Sequence, residues 1–186
     1  MTSLRERGKQ QRVARILGAA RTLLREHPDA LPRTEAIAEL AEVSPATVFN
    51  LVGTRDRLWA ALADELVLAA QERVEELPDG LDPQERARRI VTVMAEALVE
   101  DAPVHRAVLA HWRESAGLMR QRPSGALVEC FEAAGAGDAD HLVALVVTGC
   151  TGAAHQWAAE MISDRTLARR SRDFVDLAFA AAATTP

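Results

Sequence analysis

Residues Arg12 to Leu58 read as helix, short break, helix, tight turn, short helix, break and the start of a long helix, and that alternation leaves little choice of fold. Within it, Ile37-Ala38-Glu39-Leu40-Ala41-Glu42-Val43-Ser44-Pro45-Ala46-Thr47-Val48-Phe49-Asn50 has the grammar of a helix-turn-helix. A four-residue turn, Ala41 to Ser44, separates two short helices, and Ile37, Ala38, Ala41, Val43 and Val48 are spaced to pack one on the other. Such a pair leaves the outer face of the second helix free to enter a DNA major groove.

The net charge of −5 argues at first against nucleic acid, but its distribution argues the other way. Residues 1–58 carry ten Lys/Arg against seven Asp/Glu, net +3, while residues 59–186 are net −8. Arg5, Arg7, Lys9, Arg12 and Arg15 concentrate the positive charge, against Glu6. A basic arm ahead of the motif suits a phosphate-contacting element, and equally a solvated tail.

Apolar residues recur at helical spacing almost throughout and no strand pattern appears, so the expected class is all-α. A first helix from about Lys9 to Arg25 buries Val13, Ile16, Leu17, Ala20, Leu23 and Leu24, and His27-Pro28-Asp29 ends it. Thr34 is expected to cap a second helix, Ser44 a third with Pro45 at its first position, and Thr54 a fourth that runs from Arg55 to about Glu76. Asp82-Pro83 opens a fifth that reaches Glu100; a sixth spans about Val104 to Arg120, and a seventh Ala126 to Ala134. An eighth spans about Ala139 to Ile162, and Asp164 is expected to cap a ninth that runs to about Ala182.

Hydrophobic residues make up 48% of 186, enough for a sizeable core in one domain or in one small and one medium domain. No run of eighteen uncharged apolar residues marks a membrane span, and the charged start does not read as an apolar signal segment. Cys130 and Cys150 are isolated and imply no disulfide framework, so the expected location is cytoplasmic. His27, His105, His111, His141 and His155 lack ligand spacing, and no nucleophile elbow, phosphate loop or dinucleotide fingerprint is present. Neither a metal, a cofactor nor an enzymatic activity is expected.

The eighth helix carries two apolar stripes. One is Leu142, Leu145, Gly149, Gly152, Ala153 and Gln156; the other is Val143, Val147, Cys150, Ala154, Trp157 and Met161. A helix apolar nearly all round is buried on more than one side, either inside a monomer or against a second subunit. Gly149 and Gly152 would let another helix approach closely, and the ninth helix offers Phe174, Leu177 and Ala178. Two such helices from each subunit would form a four-helix bundle in a homodimer, with Leu145 also at the interface.

From Thr34 to Leu58 the chain resembles the TetR transcriptional regulators. The residues in register are Thr34, Ile37-Ala38, Ala41, Val43-Ser44, Ala46-Thr47-Val48-Phe49 and Thr54-Arg55-Asp56-Arg57-Leu58. About fifty residues carry the match; the rest agrees in helix count and length. The resemblance implies a helix-turn-helix DNA-binding domain over residues 1–58 and a helical ligand-binding and dimerisation domain over 59–186. Three departures stand out. The usual turn glycine is Glu42, the usual tyrosine is Phe49, and the aromatic-Pro ahead of helix four is Val52-Gly53.

Within the reading head, Pro45 and Ala46 are small enough to approach thymine methyls, and Asn50 can pair with adenine N6/N7 or hold a phosphate. Thr47, Thr34, Arg33 and Arg55 supply hydroxyl and guanidinium groups at helix starts, where a phosphate is favoured, and Phe49 reads as an apolar plug. The resemblance further implies an effector pocket between helices four and eight. Its expected lining is Met94, Leu98, Val108, Trp112, Met119, Phe131 and Trp157, with His105, His111, Thr148, Thr151 and His155 as polar contacts. The implied function is a regulator, in the sense of a repressor, that binds a palindromic operator in double-stranded DNA and is released by a small, mostly apolar effector. The alternative is an architectural or division-linked DNA-binding protein of the same fold that acts through a protein partner.

Overall fold

The computed structural model describes residues 4–28, 30–111 and 123–184. Among them are nine helices and no strands: α1 (Leu4–Glu26), α2 (Thr34–Leu40), α3 (Pro45–Leu51), α4 (Arg55–Glu75), α5 (Pro83–Glu100), α6 (Ala102–His111), α7 (Pro123–Ala133), α8 (Ala139–Ala158) and α9 (Asp164–Thr184). The all-α expectation and the helix count are met. Of the residues expected to line the pocket, Trp112 and Met119 lie outside the described residues.

Local chemistry sets most of the helix starts. Ser44 Oγ accepts the Thr47 amide N–H at 3.1 Å, and Pro45 at the first helical position forfeits no hydrogen bond. Asp82 Oδ1 accepts the N–H groups of Gln84 and Glu85 at 3.0 and 3.3 Å, again with proline behind it. Thr54 Oγ1 accepts the Arg57 N–H more loosely, at 3.4 Å.

Two expected caps are corrected. Thr34 is the first residue of α2 rather than its cap; the cap position belongs to Arg33, and no side chain bonds the exposed N–H groups. α9 is capped by Ser163, whose Oγ accepts the Thr166 N–H at 3.3 Å. The Asp164 carboxylate is engaged elsewhere, accepting the indole N–H of Trp157 at 2.7 Å. A third difference is the end of α8, four residues short of Ile162. Glu160 turns left-handed there, at φ 57°, while the Met161 N–H closes onto the Gln156 carbonyl at 2.9 Å.

The turn between α2 and α3 uses the same device. Glu42 sits at φ 53°, and the Val43 N–H returns to the Ala38 carbonyl at 2.9 Å. A left-handed residue with a Cβ is strained by about 1–2 kcal/mol, part of which glycine gives back through its freer unfolded chain. The Arg15–Glu42 ion pair, 3.7 Å apart and largely exposed, offsets little. Glu42→Gly is therefore expected to raise stability by about 0.5–1 kcal/mol at unchanged m-value in urea unfolding.

Three buried clusters follow from this arrangement. The first joins Ile16, Ala20 and Leu24 of α1, Ile37 and Ala38 of α2, Val48 of α3 and Leu58, Trp59 and Leu62 of α4 with Val104, Ala107 and Val108 of α6. A second gathers α5, α7, α8 and α9 around Ile90, Phe131 and Val175, with Phe131 stacked on Phe179 at 4.3 Å. In the third, Leu66 and Ala70 of α4 meet Ala95 and Leu98 of α5, Leu109 of α6, Trp157 of α8 and Leu167 of α9. Arg25 clamps the α5–α6 junction to the end of α1, its Nε and Nη2 donating to the two Asp101 oxygens at 2.9 and 2.6 Å.

Candidate nucleic-acid interface and effector cavity

α3 is anchored by one face and free on the other. Val48 is buried and Leu51 packs at the edge of the same cluster, whereas Pro45, Ala46 and Asn50 are exposed and Phe49 is 63% exposed. Residues 45, 46, 49 and 50 fall on one side of a helix, so four of the expected DNA-contacting residues form a single outward surface. Thr47 is less available, because its hydroxyl lies 2.8 Å from Ser44 Oγ and helps fix the helix start. Arg33, Thr34 and Arg55 are exposed at the starts of α2 and α4.

A basic feature joins this surface. Arg5, Lys9 and Arg12, spaced four and three residues apart on α1, line a shared hollow with Glu6 and with Leu51 at the end of α3. The first turns of α1, exposed to solvent, thus lie beside the end of α3. Composition had singled out the charge; what it lacked was the helical start at Leu4, which nothing between Leu4 and Gly8 opposes and which Glu6 in the first turn favours.

In the body a cavity of about 80 Å³ opens between α5, α8 and α9, with α7 at one side. Met94 and Leu98 line it as expected from sequence, together with Thr151. Of the other expected lining residues, Val108, Phe131 and Trp157 are described and do not line it. Val108 belongs to the head cluster, Phe131 to the stack with Phe179, and Trp157 is fully buried at the α6–α8–α9 junction. Arg106 lies over the Trp157 ring, 4.8 Å from its centroid, and its Nη1 donates to Glu160 Oε1 at 2.6 Å. No α4 side chain faces this cavity; α4 touches its wall from behind, through Leu66 and Ala70 against Ala95 and Leu98.

The histidines are also occupied elsewhere. His105 Nδ1 lies 2.9 Å from the Leu98 carbonyl, His111 Nδ1 2.9 Å from that of Ala107, and His155 Nδ1 2.9 Å from that of Thr151. Burial holds the His105 imidazole below its ordinary pKa, against the pull of its carbonyl partner and the nearby acids. Thr148 is exposed. Among the described residues no group of three or more His, Cys, Asp or Glu could hold a metal ion.

The α8–α9 pair presents an outer apolar face. Leu145 and Leu177 are 53% and 66% exposed, and Gly152 is exposed with open space where a Cβ would stand. Three of the residues expected at a subunit interface are instead used within the chain. A Cβ on Gly149 would stand 2.7 Å from the Phe174 ring, so the glycine admits α9 of its own subunit, and Ala178 is buried against α5 and α8. Phe174, half-buried, fills that notch.

The architecture is similar to several solved structures. A TetR-like transcriptional regulator from a Rhodococcus species matches at TM-score 0.65 and 20% identity, over 94% of this chain and 97% of its own. A TetR transcriptional regulator, also from Rhodococcus, matches at 0.67 and 19%, over 91% and 96%. PfmR from Thermus thermophilus, a TetR family transcriptional regulator, matches at 0.52 and 20%, over 96% of each chain. Compared with family models and with curated proteins, the chain finds no match. Likeness at this identity and coverage establishes the fold. Among the described residues no helix is long and apolar enough to cross a membrane.

Proposed function

We propose that this chain, which has the fold of the TetR-type transcriptional regulators, grips an inverted-repeat operator as a homodimer and is released when a small apolar effector occupies the cavity between α5, α8 and α9. The observation that carries the DNA half is α3, capped and pinned on its inner side and bare along Pro45, Ala46, Phe49 and Asn50. Asn50 reads a base edge; Arg33, Thr34 and Arg55 hold phosphates at helix starts, with Thr47 completing the α3 start. The α1 row of Arg5, Lys9 and Arg12 takes the flanking phosphates. Phe49 shields the contact from water, since a phenyl ring offers no hydroxyl to a phosphate. A cavity in the body favours a ligand-released regulator over an architectural protein.

Selection of DNA sites by the purified protein, followed by titration at several salt concentrations, tests the reading. Arg5, Lys9 and Arg12 changed together to alanine should weaken specific and random DNA alike and flatten the log–log salt dependence by about three phosphate contacts, a slope change near 2.7. Asn50→Ala should instead relax preference at one base pair per half-site, costing about 1–3 kcal/mol there. Failure to select any sequence over random DNA would remove the reading.

Effector control needs a path from cavity to head. Ala95 and Leu98 wall the cavity and share a buried cluster with Leu66 and Ala70 of α4, whose Leu58 and Trp59 belong in turn to the cluster that seats Val48 of α3. A guest that repacks α5 shifts α4, and two recognition helices fit successive major grooves at one spacing only. The guest can move that equilibrium by no more than its differential affinity for the two states, and operator must weaken guest binding by the same factor.

A further inference from the structure

We propose that the cavity between α5, α8 and α9 is a charge filter: it receives uncharged, hydrocarbon-like molecules near the size of benzene and turns away anions and cations of the same shape. This supplies the effector class for the regulator reading above and rests on that reading only for its link to DNA.

The walls argue it. The cavity's lining is aliphatic apart from Met94, Cys150, Thr151 and Ser171, and none of these carries a charge at neutral pH. Burial pushes the Cys150 thiol up to about 11, so it stays protonated. Both hydroxyl protons are spent inside the protein: Thr151 Oγ1 donates to the Val147 carbonyl at 2.7 Å and Ser171 Oγ to the Leu167 carbonyl at 3.0 Å. The cavity opens to solvent on one side; below that mouth a carboxylate would leave water and meet no donor, and an ammonium would meet no carboxylate. Each loses its hydration without compensation, which costs several kcal/mol. A hydrocarbon loses nothing of the kind.

Size follows from the volume. An apolar cavity of roughly 150 Å³ stays dry and takes benzene or xenon. At about 80 Å³ this one admits a small guest as it stands and an aromatic ring once a side chain gives way. Met94 is the side chain to give, being half-buried, unbranched and flexible. Large neighbours do not cause the void. It lies where Ala95 and Ala154 are short, which is why a search for bulky, soft residues points past it.

Toluene, benzoate and benzylammonium are close in shape and differ in charge, and the full chain at pH 7 can be titrated with each. Toluene should raise the melting temperature with its concentration and broaden in ligand-observed NMR on adding protein; the two ions should bind more weakly by about a hundredfold or more. Ala154→Leu should abolish the toluene response while the fold is retained, and Met94→Ala should strengthen it by enlarging the space. Benzoate or benzylammonium binding as tightly as toluene, no toluene response in the native chain, or a response indifferent to both substitutions would each overturn the proposal. Should Ala154→Leu not fold, the three ligands on the native chain still decide. A parallel operator titration separates the two claims: toluene bound without DNA release leaves the filter standing and removes its regulatory role, whereas absent operator binding without any ligand counts against the regulator reading alone.

Discussion

Trp157→Ala is expected to lower stability by about 3–5 kcal/mol, read as a reduced midpoint in urea or guanidinium unfolding. The indole is fully buried and joins three elements at once. Its ring supports the Arg106 guanidinium of α6, and its N–H bonds Asp164 at the start of α9. Truncation leaves a cavity, an unpaired carboxylate oxygen and a guanidinium without its platform. Trp157→Phe should cost less, about 1–3 kcal/mol, because it keeps most of the packing and orphans only the polar partner. A loss below 1 kcal/mol for the alanine variant would mean that the junction repacks and that Trp157 does not organise it.

The second large effect concerns the outer face of α8 and α9. Replacing Leu145 and Leu177 together with aspartate should give a folded monomer in sedimentation, with the helix content of the native chain. Both side chains are more than half exposed, so neither change disturbs a core contact. In the homodimer reading, four such leucines meet across the two-fold axis and eight carboxylate oxygens cannot share that space. Operator affinity should then fall by about a hundredfold or more, because the second half-site is no longer held at high effective concentration, while binding to random DNA falls far less. Gly152→Leu is the milder test on the same face, as its Cβ meets nothing within its own chain. Gly149→Leu would mislead: its side chain collides with Phe174 and lowers stability before any interface is involved. A native chain that sediments as a monomer at micromolar concentration removes the dimer.

How far the sequence could be read depended on how local the deciding chemistry was. Ser44-Pro45 and Asp82-Pro83 announce helix starts because the cap bonds N–H groups two or three residues away, and the structure makes those bonds. Glu42 stood out in the sequence only as a departure from the turn glycine of the family it resembles, and the structure places it at φ 53°. Asp164 was legible as an acid at a helix start but not as the partner of Trp157, a choice made by the way α8 folds back on α9. Gly149 was legible as a site of close approach, and the helix that approaches is the chain's own. The cavity was the least legible. Large side chains such as Phe131 and Trp157 fill space, so a list of large side chains finds the core, while Ala95, Ala154 and Ser171 reveal a void only once three helices are set against each other.

The presence of Val104, Ala107 and Val108 from α6 in the cluster that supports α3 bears on exchange between proteins. A cut after residue 58 would strip those side chains from the reading head and bare Ile16, Leu24 and Val48 on the severed side. Chimeras that graft this head onto another body should therefore carry α6 with it, or rebuild the apolar face that α6 supplies. Pro45, Ala46 and Asn50 are free of that constraint. In the proposed DNA-reading role, sequence preference can drift at those positions while the body stays as it is, whereas the seam between head and body can change only when both of its sides change together.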